Sequence, residues 1–299
     1  MSRYKVGLAF GFTTYLIWGL FPLYWPLLKP ANPLEIVSNR AVWTLVFCSI
    51  ALGLSKKLKS TFALMRTRRV FLGLSLATAL IAVNWLTYIW AVNKNHVVDA
   101  SLGYYINPLV SIGFGVIILR ERMSRWQWIS VAIATIGVAV LTIDAHTFPW
   151  IALTLAISFG SYGFVKKRLG LGSLESLAIE TTISLIPYGG YLIYLANKGT
   201  GQLGNGAGLT TLLILSGAVT AIPLLLFNGA ATRLPLSLIG LIQYITPSVQ
   251  FCIGVFLRHE DMSPLRWTGF FVIWIALTVL AIDLARSGST SNNGVTELD

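Results

Sequence analysis

Long apolar stretches, separated by short polar turns, fill almost the whole chain. Each stretch runs for about 20 residues, the length that an α-helix needs to cross the hydrocarbon core of a bilayer. The runs are continuous rather than alternating, which excludes the pattern of a membrane β-barrel. The pattern predicts ten transmembrane helices, at roughly residues 7–28, 35–54, 70–92, 98–119, 126–143, 150–165, 175–196, 209–230, 235–257 and 265–284.

The second half of the chain repeats the first. Residues 105–144 align with residues 244–283 without a gap, and 15 of the 40 positions are identical. The identical positions include Tyr105/Tyr244, Pro108/Pro247, Glu121/Glu260, Met123/Met262, Ser124/Ser263, Trp128/Trp267 and Asp144/Asp283. Each half holds five predicted spans, and an odd number places the two copies in opposite orientations across the membrane. The prediction is an all-α membrane protein of two inverted five-helix repeats, 1–145 and 146–285, with a disordered cytoplasmic tail at 286–299.

Composition and charge support a membrane protein and give it an orientation. The chain is 55% hydrophobic and 11% charged, whereas soluble domains carry about 25% charged residues. Its net charge of +11 is not a nucleic-acid patch: with a cytoplasmic N-terminus, 16 Lys and Arg fall on inside segments and 5 on outside loops. This split follows the positive-inside rule and predicts that both termini are cytoplasmic. The remaining basic residue, Arg40, is counted on neither side because it lies within a predicted span.

Two ionisable residues within spans are the first candidates for function. Arg40 lies near the outer end of the second span, and Glu180 lies in the inner part of the seventh. An offset of 140 residues makes them counterparts in the repeat. Charged residues in hydrocarbon are rare and usually mark a substrate or ion pathway. The alternative is that Arg40 reaches the headgroups and Glu180 makes a structural hydrogen bond.

Matching proline positions and polar faces extend the candidate site. Asn107-Pro108 and Thr246-Pro247 lie in mid-span, where a proline frees a backbone carbonyl and matching broken helices point to a transporter's binding site. Polar side chains on apolar helices are expected to face inward. A kink that only shapes packing, or hydrogen bonds that only join helices, are the alternatives. The predicted substrate-binding residues are Arg40, Asn84, Trp85, Tyr88, Tyr104, Asn107, Glu180, Asn228, Gln243 and Tyr244.

Several of these segments resemble one known family. The segments are YLIWGLFPLYW at 15–25, SNRAVW around Arg40, NWLTYIWAVN at 84–93, ASLGYYINPL at 100–109, LRER at 119–122, SFGSYGFVKK at 158–167 and FNGAATRLPLSLIGLIQYITP at 227–247. They are similar to the RarD group of the EamA-type drug/metabolite transporters, from the first span to the tenth. The resemblance implies ten helices in two inverted repeats, a bacterial inner-membrane location and export of small molecules, with a link to chloramphenicol. The polar positions matching the family are Arg40, Asn84, Trp85, Tyr104, Asn107, Glu180 and Gln243.

The predicted function is a secondary transporter that exports small amphiphilic metabolites or drugs by alternating access. Arg40 would meet a carboxylate, and Glu180 an amine or a proton, so proton coupling is one expectation. An uncoupled amino-acid or metabolite facilitator is the alternative within transport. No HExxH, GxSxG or P-loop motif occurs in the sequence, so we predict no catalytic residue, metal or cofactor. A membrane-embedded enzyme and a purely structural subunit are the remaining alternatives.

Overall fold

The structure is a computed structural model that describes residues 3–93, 97–143, 150–257 and 263–293. Every element of regular structure in these ranges is helical. The α-helices are α1 (Arg3–Tyr24), α2 (Pro33–Leu54), α3 (Leu58–Leu64), α4 (Arg68–Asn93), α5 (Val97–Gly113), α6 (Arg125–Ile143), α7 (Trp150–Leu169), α8 (Ser173–Lys198), α9 (Ala207–Ala231), α10 (Leu236–Gln243), α11 (Ile245–Cys252) and α12 (Pro264–Asn293).

Seven helical stretches among the described residues are long and apolar enough to cross a membrane. They are Arg3–Leu28, Pro33–Leu54, Arg68–Tyr88, Arg125–Ile143, Ala207–Ala231, Leu236–Leu257 and Pro264–Leu284. The other three predicted spans coincide with α5, α7 and α8, of which α5 contributes the shorter apolar stretch Leu102–Ile118. The chain is therefore an all-helical, multi-pass membrane protein, and ten spans in inverted repeats stay a prediction.

Local signals in the sequence set several helix ends. Asn32 caps α2, because its Oδ1 accepts a hydrogen bond from the Glu35 N–H at 2.9 Å while Pro33 occupies the first turn. Gly199 ends α8 with φ of 64°, a left-handed conformation that glycine adopts without strain. The chain can therefore turn sharply at both points without exposing unpaired backbone groups to the bilayer.

The two prolines predicted to break helices behave differently. The ninth span divides at Tyr244 into α10 and α11, three residues before Pro247, whereas α5 runs continuously through Pro108. Both regions then end in a turn of π-helix, Phe114–Ile118 after α5 and Ile253–Leu257 after α11. The two π turns lie at equivalent positions of the sequence repeat, because Phe114 aligns with Ile253 and Ile118 with Leu257. Only one of the two preceding helices is broken.

Helix packing joins the two halves throughout the bundle. The pairs α2 with α8, α5 with α10 and α6 with α12 are in contact, and each pair consists of counterparts in the sequence repeat. In addition, α1 packs on α9, α10 and α11, while α7 packs on α4 and α5. Tyr105 and Tyr244, at equivalent positions, are buried in one hydrophobic cluster. The core therefore lies between the halves rather than within either one.

Polar contacts gather at two ends of the bundle, which we call the basic end and the opposite end. The basic end is formed by residues 55–67, 119–124, 170–172 and 232–235, which carry seven of the 16 Lys and Arg residues predicted to face the cytoplasm. The opposite end is formed by 29–32 and 199–206, where Gln202 N–H donates to Glu35 Oε1 at 2.6 Å. The segments that the charge pattern assigned to one side therefore meet at one end.

Two predictions concern residues at the edges of the described ranges. The tail was predicted to be disordered from residue 286, but α12 continues to Asn293, since adding a residue to an existing helix is far easier than starting one. Residues 294–299 lie outside the described residues. So do Asp144 and the loop at 258–262, which was predicted to face outward.

Candidate functional site

A central cavity of about 620 Å³ lies between the two halves of the bundle. Its size is within the range of pockets that hold drug-sized molecules. It reaches the surface at the opposite end, beside the exposed Lys29. Helices from both halves line it, with Trp18, Trp25, Arg40, Asn84, Trp85, Tyr88, Tyr104, Asn107, Phe159, Thr220, Gln243, Thr246, Pro247 and Gln250 among the lining residues.

Arg40 projects from α2 into this cavity between two indole rings. Its guanidinium carbon lies 4.5 Å from the ring centroid of Trp25 and 4.6 Å from that of Trp85. Its Nε donates a hydrogen bond to Thr220 Oγ1 at 2.9 Å. Cation–π contacts of this kind are stronger where the cation has lost water. The arginine is therefore held in place by the turn that follows α1, by α4 and by α9, without a carboxylate partner among the described residues.

The polar residues of α4 and α5 differ in their contacts: Asn84 is hydrogen-bonded to α7, whereas Tyr88 and Tyr104 contact each other at the cavity wall. Asn84 donates to the Leu155 carbonyl at 2.9 Å and to Ser158 Oγ at 3.1 Å, which joins α4 to α7. Tyr88 and Tyr104 meet at the cavity wall with ring centroids 6.1 Å apart. Asn84 thus takes part in packing as well as lining the cavity, and the tyrosines present their rings to its interior.

Two amide side chains at the cavity wall have an oxygen without a hydrogen-bond partner. Asn107 in α5 and Gln243 at the end of α10 are both buried, and Asn107 Oδ1 and Gln243 Oε1 lack partners among the described residues. Their repeat counterparts, Thr246 and Tyr104, line the same cavity. Buried polar atoms in native proteins are almost always satisfied. Both oxygens are buried in this state, so a partner would have to come from water or a solute that reaches them when the wall moves.

Glu180 lies outside the central cavity, in a buried ion pair that the sequence did not reveal. Its Oε1 pairs with Lys166 Nζ and accepts from Ser176 Oγ at 3.0 Å, and its Oε2 accepts from Tyr162 Oη at 3.1 Å. The side chains of Lys166 and Glu180 are 1% and 5% exposed. In this structure Glu180 is therefore neutralised by α7 and makes no ion pair with Arg40.

A small separate cavity lies between Glu180 and the central cavity. Its volume is about 30 Å³, and it is lined by Glu180, Tyr188, Thr220 and Trp85, among others. Thr220 and Trp85 also line the central cavity. The space is sufficient for one water molecule, which needs polar partners such as the otherwise unpartnered Tyr188 hydroxyl. A single water would thus separate the solute space from the buried ion pair.

Two further predicted site residues also lie away from the central cavity. Asn228 is buried in α9, and neither of its amide atoms has a partner among the described residues. Tyr244 is fully buried at the junction of α10 and α11, packed with Tyr105 and Phe270. A part in solute binding stays a prediction for both residues, which do not line the cavity in this state.

The basic end is closed by aromatic packing and by a charged cap. Phe227 contacts Tyr15, Phe159 and Tyr162, with ring centroids 6.5, 5.5 and 6.1 Å away. Beyond this layer, the carboxylate of Glu121, from the other half of the chain, accepts hydrogen bonds from the first N–H groups of α10. Aromatic rings therefore separate the central cavity from the basic end.

Glu121 is the carboxylate that caps α10. It accepts hydrogen bonds from the N–H groups of Leu236 and Ser237 at 2.8 and 2.9 Å, and Lys167 Nζ lies 3.3 Å from its Oε1. Burial acts to raise the pKa of Glu121, but the two N–H groups, Lys167 and the Ser237 hydroxyl together hold that pKa below its ordinary value. Gly115 leaves room for the cap, since a Cβ there would lie 2.5 Å from Glu121 Oε2.

Comparison with known proteins assigns the chain to a family. Residues 5–143 match the EamA-like transporter family. The chain is 46% identical to Protein RarD of Streptomyces exfoliatus, covering 97% of this chain and 92% of that protein. The chain belongs to the RarD group of EamA-type transporters. It is also 41% identical to the uncharacterized transporter YojE of Bacillus subtilis, over 94% of this chain and 95% of the relative.

A solved crystal structure shows that the fold is shared more widely than the RarD sequence. It is only 18% identical, yet it matches with a TM-score of 0.73 over 95% of this chain and 100% of the other. The family and the names of its relatives indicate a transporter rather than an enzyme. Among the described residues, no three His, Cys, Asp or Glu side chains come together as metal ligands.

Lys166 is the residue of this RarD-group site that the sequence analysis missed. It was counted with Lys167 and Arg168 among the cytoplasmic charges, and Arg40 was taken as the one basic residue within a span. The structure corrects this, because Lys166 points inward while Lys167 donates to the Leu234 carbonyl at the basic end. Lys166 is four residues after Tyr162 and so shares its helix face. That spacing was the available signal.

Proposed function

We propose that this protein is a secondary transporter that moves small amphiphilic metabolites or drugs by alternating access. The observation that carries the proposal is the single central cavity between the two halves, reaching the surface at one end and closed at the other. Its lining combines aromatic rings with a few polar groups and one partly buried cation, Arg40. Such a lining suits a solute with an apolar body and a polar head. Transport follows if the closed end opens while the other closes.

The proposed architecture is ten spans in two inverted five-helix repeats, in a bacterial plasma membrane with both termini cytoplasmic. Three observations support it: the repeat of residues 105–144 in 244–283, the π turns at equivalent positions, and the contacts between counterpart helices. The charge split supports the orientation. With the basic end in the cytoplasm, the present structure is an outward-facing state, from which an exporter releases its solute.

Flux through purified protein in liposomes tests the proposal. Radiolabelled chloramphenicol is a suitable first solute because of the family resemblance, and a solute screen in a strain lacking the gene would extend the set. We expect uptake above that of protein-free vesicles and faster uptake into vesicles preloaded with unlabelled solute. Such acceleration is characteristic of alternating access. If no solute in the screen gives flux above protein-free vesicles, the proposal is wrong.

The outward-facing state has its own test. Ile36 lines the central cavity and is partly exposed, so a cysteine at this position should react with a membrane-impermeant thiol reagent added outside intact cells. The natural Cys48 and Cys252 would first be replaced by alanine. Reaction only after the inner side is made accessible would contradict the proposed orientation.

An uncoupled facilitator is the second candidate, and the ion pair favours it. In this state Glu180 is held by Lys166, Tyr162 and Ser176 and does not face the central cavity. Proton coupling would require the pair to open during the cycle. If Glu180 carries the proton, Glu180→Gln should abolish accumulation driven by a pH gradient while leaving solute exchange intact. If the wild-type protein shows no response to the gradient, it is a facilitator.

A further inference from the structure

We propose that the central cavity selects organic monoanions: a carboxylate bound by the terminal nitrogens of Arg40, on a solute with a flat apolar or aromatic body. The inference rests on the proposed transport function and names the class of solute. It also removes the solute amine that Glu180 was expected to meet. The change follows from the charges that line the cavity and from the position of Glu180.

The charge of the cavity is positive and uncompensated. Its described lining contains two charged residues, Arg40 and Lys29, and neither aspartate nor glutamate. Glu180 pairs with Lys166 outside the cavity, and Glu35 Oε1 accepts the N–H of Gln202. A cationic group on the solute would therefore meet aromatic faces and amide oxygens but no carboxylate. An anionic group would meet an arginine that has no competing anion among the described side chains.

The contacts of Arg40 leave one part of the guanidinium for a ligand. Trp25 and Trp85 lie over the group, and Thr220 accepts from Nε. Nη1 and Nη2 have no hydrogen-bond partner among the described residues. These two nitrogens form a planar fork that matches the two oxygens of a carboxylate. A partly buried, unpaired arginine is costly in a membrane, so binding an anion here also relieves a cost already present in the empty protein.

One arginine inside the cavity matches one negative charge. Lys29 is exposed at the cavity mouth, where water screens it. A phosphate dianion would bring a second charge into the cavity without a second cation inside it. The body of the solute would lie against the rings that line the remaining wall, which are Tyr15, Trp18, Phe21, Tyr88, Tyr104 and Phe159.

Four ligands with the same indole body separate the possible charge classes. Indole-3-acetate is the anion, indole-3-acetamide its neutral counterpart, tryptamine the cation and tryptophan the zwitterion. Binding to purified protein would be measured by equilibrium dialysis with radiolabelled ligand. We expect the acetate to bind about 10- to 100-fold more tightly than the acetamide, as charge-assisted hydrogen bonds imply, and tryptamine to bind most weakly. Acetamide or tryptamine binding as tightly as the acetate overturns the proposal, and so does tryptophan binding more tightly than the acetate.

Arginine variants test the assigned residue. Arg40→Gln should remove the preference for the acetate, and Arg40→Lys, which keeps the charge but not the fork, should retain only part of it. Lys198→Gln removes a charge at the opposite end, away from the cavity, and should leave the preference unchanged. A full preference in Arg40→Gln places the anion site elsewhere. If Arg40→Gln does not fold, Arg40→Lys and the ligand series on the wild-type protein still decide.

Flux measurements keep the two proposals apart. Transport of neutral chloramphenicol with no preference for anions would overturn the inference and leave the transport function standing. Acetate binding that depends on Arg40, without flux of any solute in liposomes, would confirm the anion site and overturn the transport function.

Discussion

Replacing Glu180 with glutamine should destabilise the protein strongly, because the change leaves Lys166 charged, buried and without its counter-ion. The Lys166 side chain is 1% exposed, and its remaining described contacts are Ser176 Oγ at 2.5 Å and the Tyr162 ring, whose centroid lies 5.5 Å from Nζ. Two unit charges about 4 Å apart attract each other by roughly 4 kcal/mol at an effective dielectric constant of about 20. Breaking a buried ion pair by removing one partner typically costs about 3–5 kcal/mol. We expect a loss in this range in the free energy of unfolding.

The same helix provides a matched control. Glu175 pairs with Lys57 at 3.0 Å, but the two side chains are 17% and 58% exposed. Exposed pairs contribute about 0–1 kcal/mol, so Glu175→Gln should have little effect. Both variants remove one negative charge from α8, and they differ in the burial of the partner. Unfolding would be followed by tryptophan fluorescence while SDS is titrated into mixed micelles.

The double variant distinguishes a lost pair from a general loss of packing. Lys166→Met removes the stranded charge, so adding it to Glu180→Gln should recover at least half of the lost stability, since an apolar replacement of a buried pair is often neutral or better. Two effects that simply add in the double variant would show that the residues do not interact. In that case the reasoning from the buried pair is refuted.

Three other predictions concern the closed end, the topology and the packing. Glu121→Gln should increase hydrogen exchange of the first turn of α10, and acid should do the same in the wild-type protein. The pKa of Glu121 is lowered in the folded protein, so its contribution to stability is complete above about pH 4 and is lost as the pH falls through the lowered value. No change in exchange would show that the cap is dispensable. Asp261→Cys should be labelled from outside intact cells, and labelling only after permeabilisation would contradict the inverted topology. Gly217→Ala should destabilise the protein by about 1–3 kcal/mol, because the new Cβ would lie 2.5 Å from the Cβ of Trp43. Gly190→Ala is the control, since a Cβ at residue 190 meets no atom within 4 Å. Equal SDS unfolding midpoints for the two variants would refute this.

Apolar patterning predicted the long helices well because a bilayer allows few alternatives. Each spanning segment must satisfy its own backbone groups, so a run of about 20 apolar residues becomes a helix. The short helix α3 was not predicted, since seven polar and apolar residues between two spans give no such constraint. The break in the ninth span was anticipated from Pro247, but the continuity of α5 through Pro108 was not. Thr246 donates to the Tyr15 carbonyl at 2.8 Å, a contact between distant helices that local sequence does not contain.

The candidate site was predicted in part, and the part missed has a physical cause. Polar residues on apolar helices were expected to face inward, and Arg40, Asn107 and Gln243 do line the central cavity. The separation of Glu180 from that cavity depends on which side of α8 faces α7. A sequence shows the helix period but not the neighbour on each face. The partner on α7 could therefore not be assigned from the pattern alone.

In both halves, the charged residue is contacted by a side chain at an equivalent position, but the two contacting side chains differ in charge. Trp18-Gly19 and Phe159-Gly160 are separated by 141 residues, and the same offset relates Trp25 to Lys166. Trp25 contacts Arg40, and Lys166 contacts Glu180, which is the repeat counterpart of Arg40. Each partner therefore comes from the equivalent position of the helix before it. In the second half the partner is a cation and neutralises the carboxylate, whereas in the first half it is an indole and leaves the arginine charged. Arg40 is therefore the charge without a described counter-ion, and Glu180 is the one that is paired. Because Arg40 lines the cavity between the two halves and Glu180 does not, we expect the cavity to favour an anion.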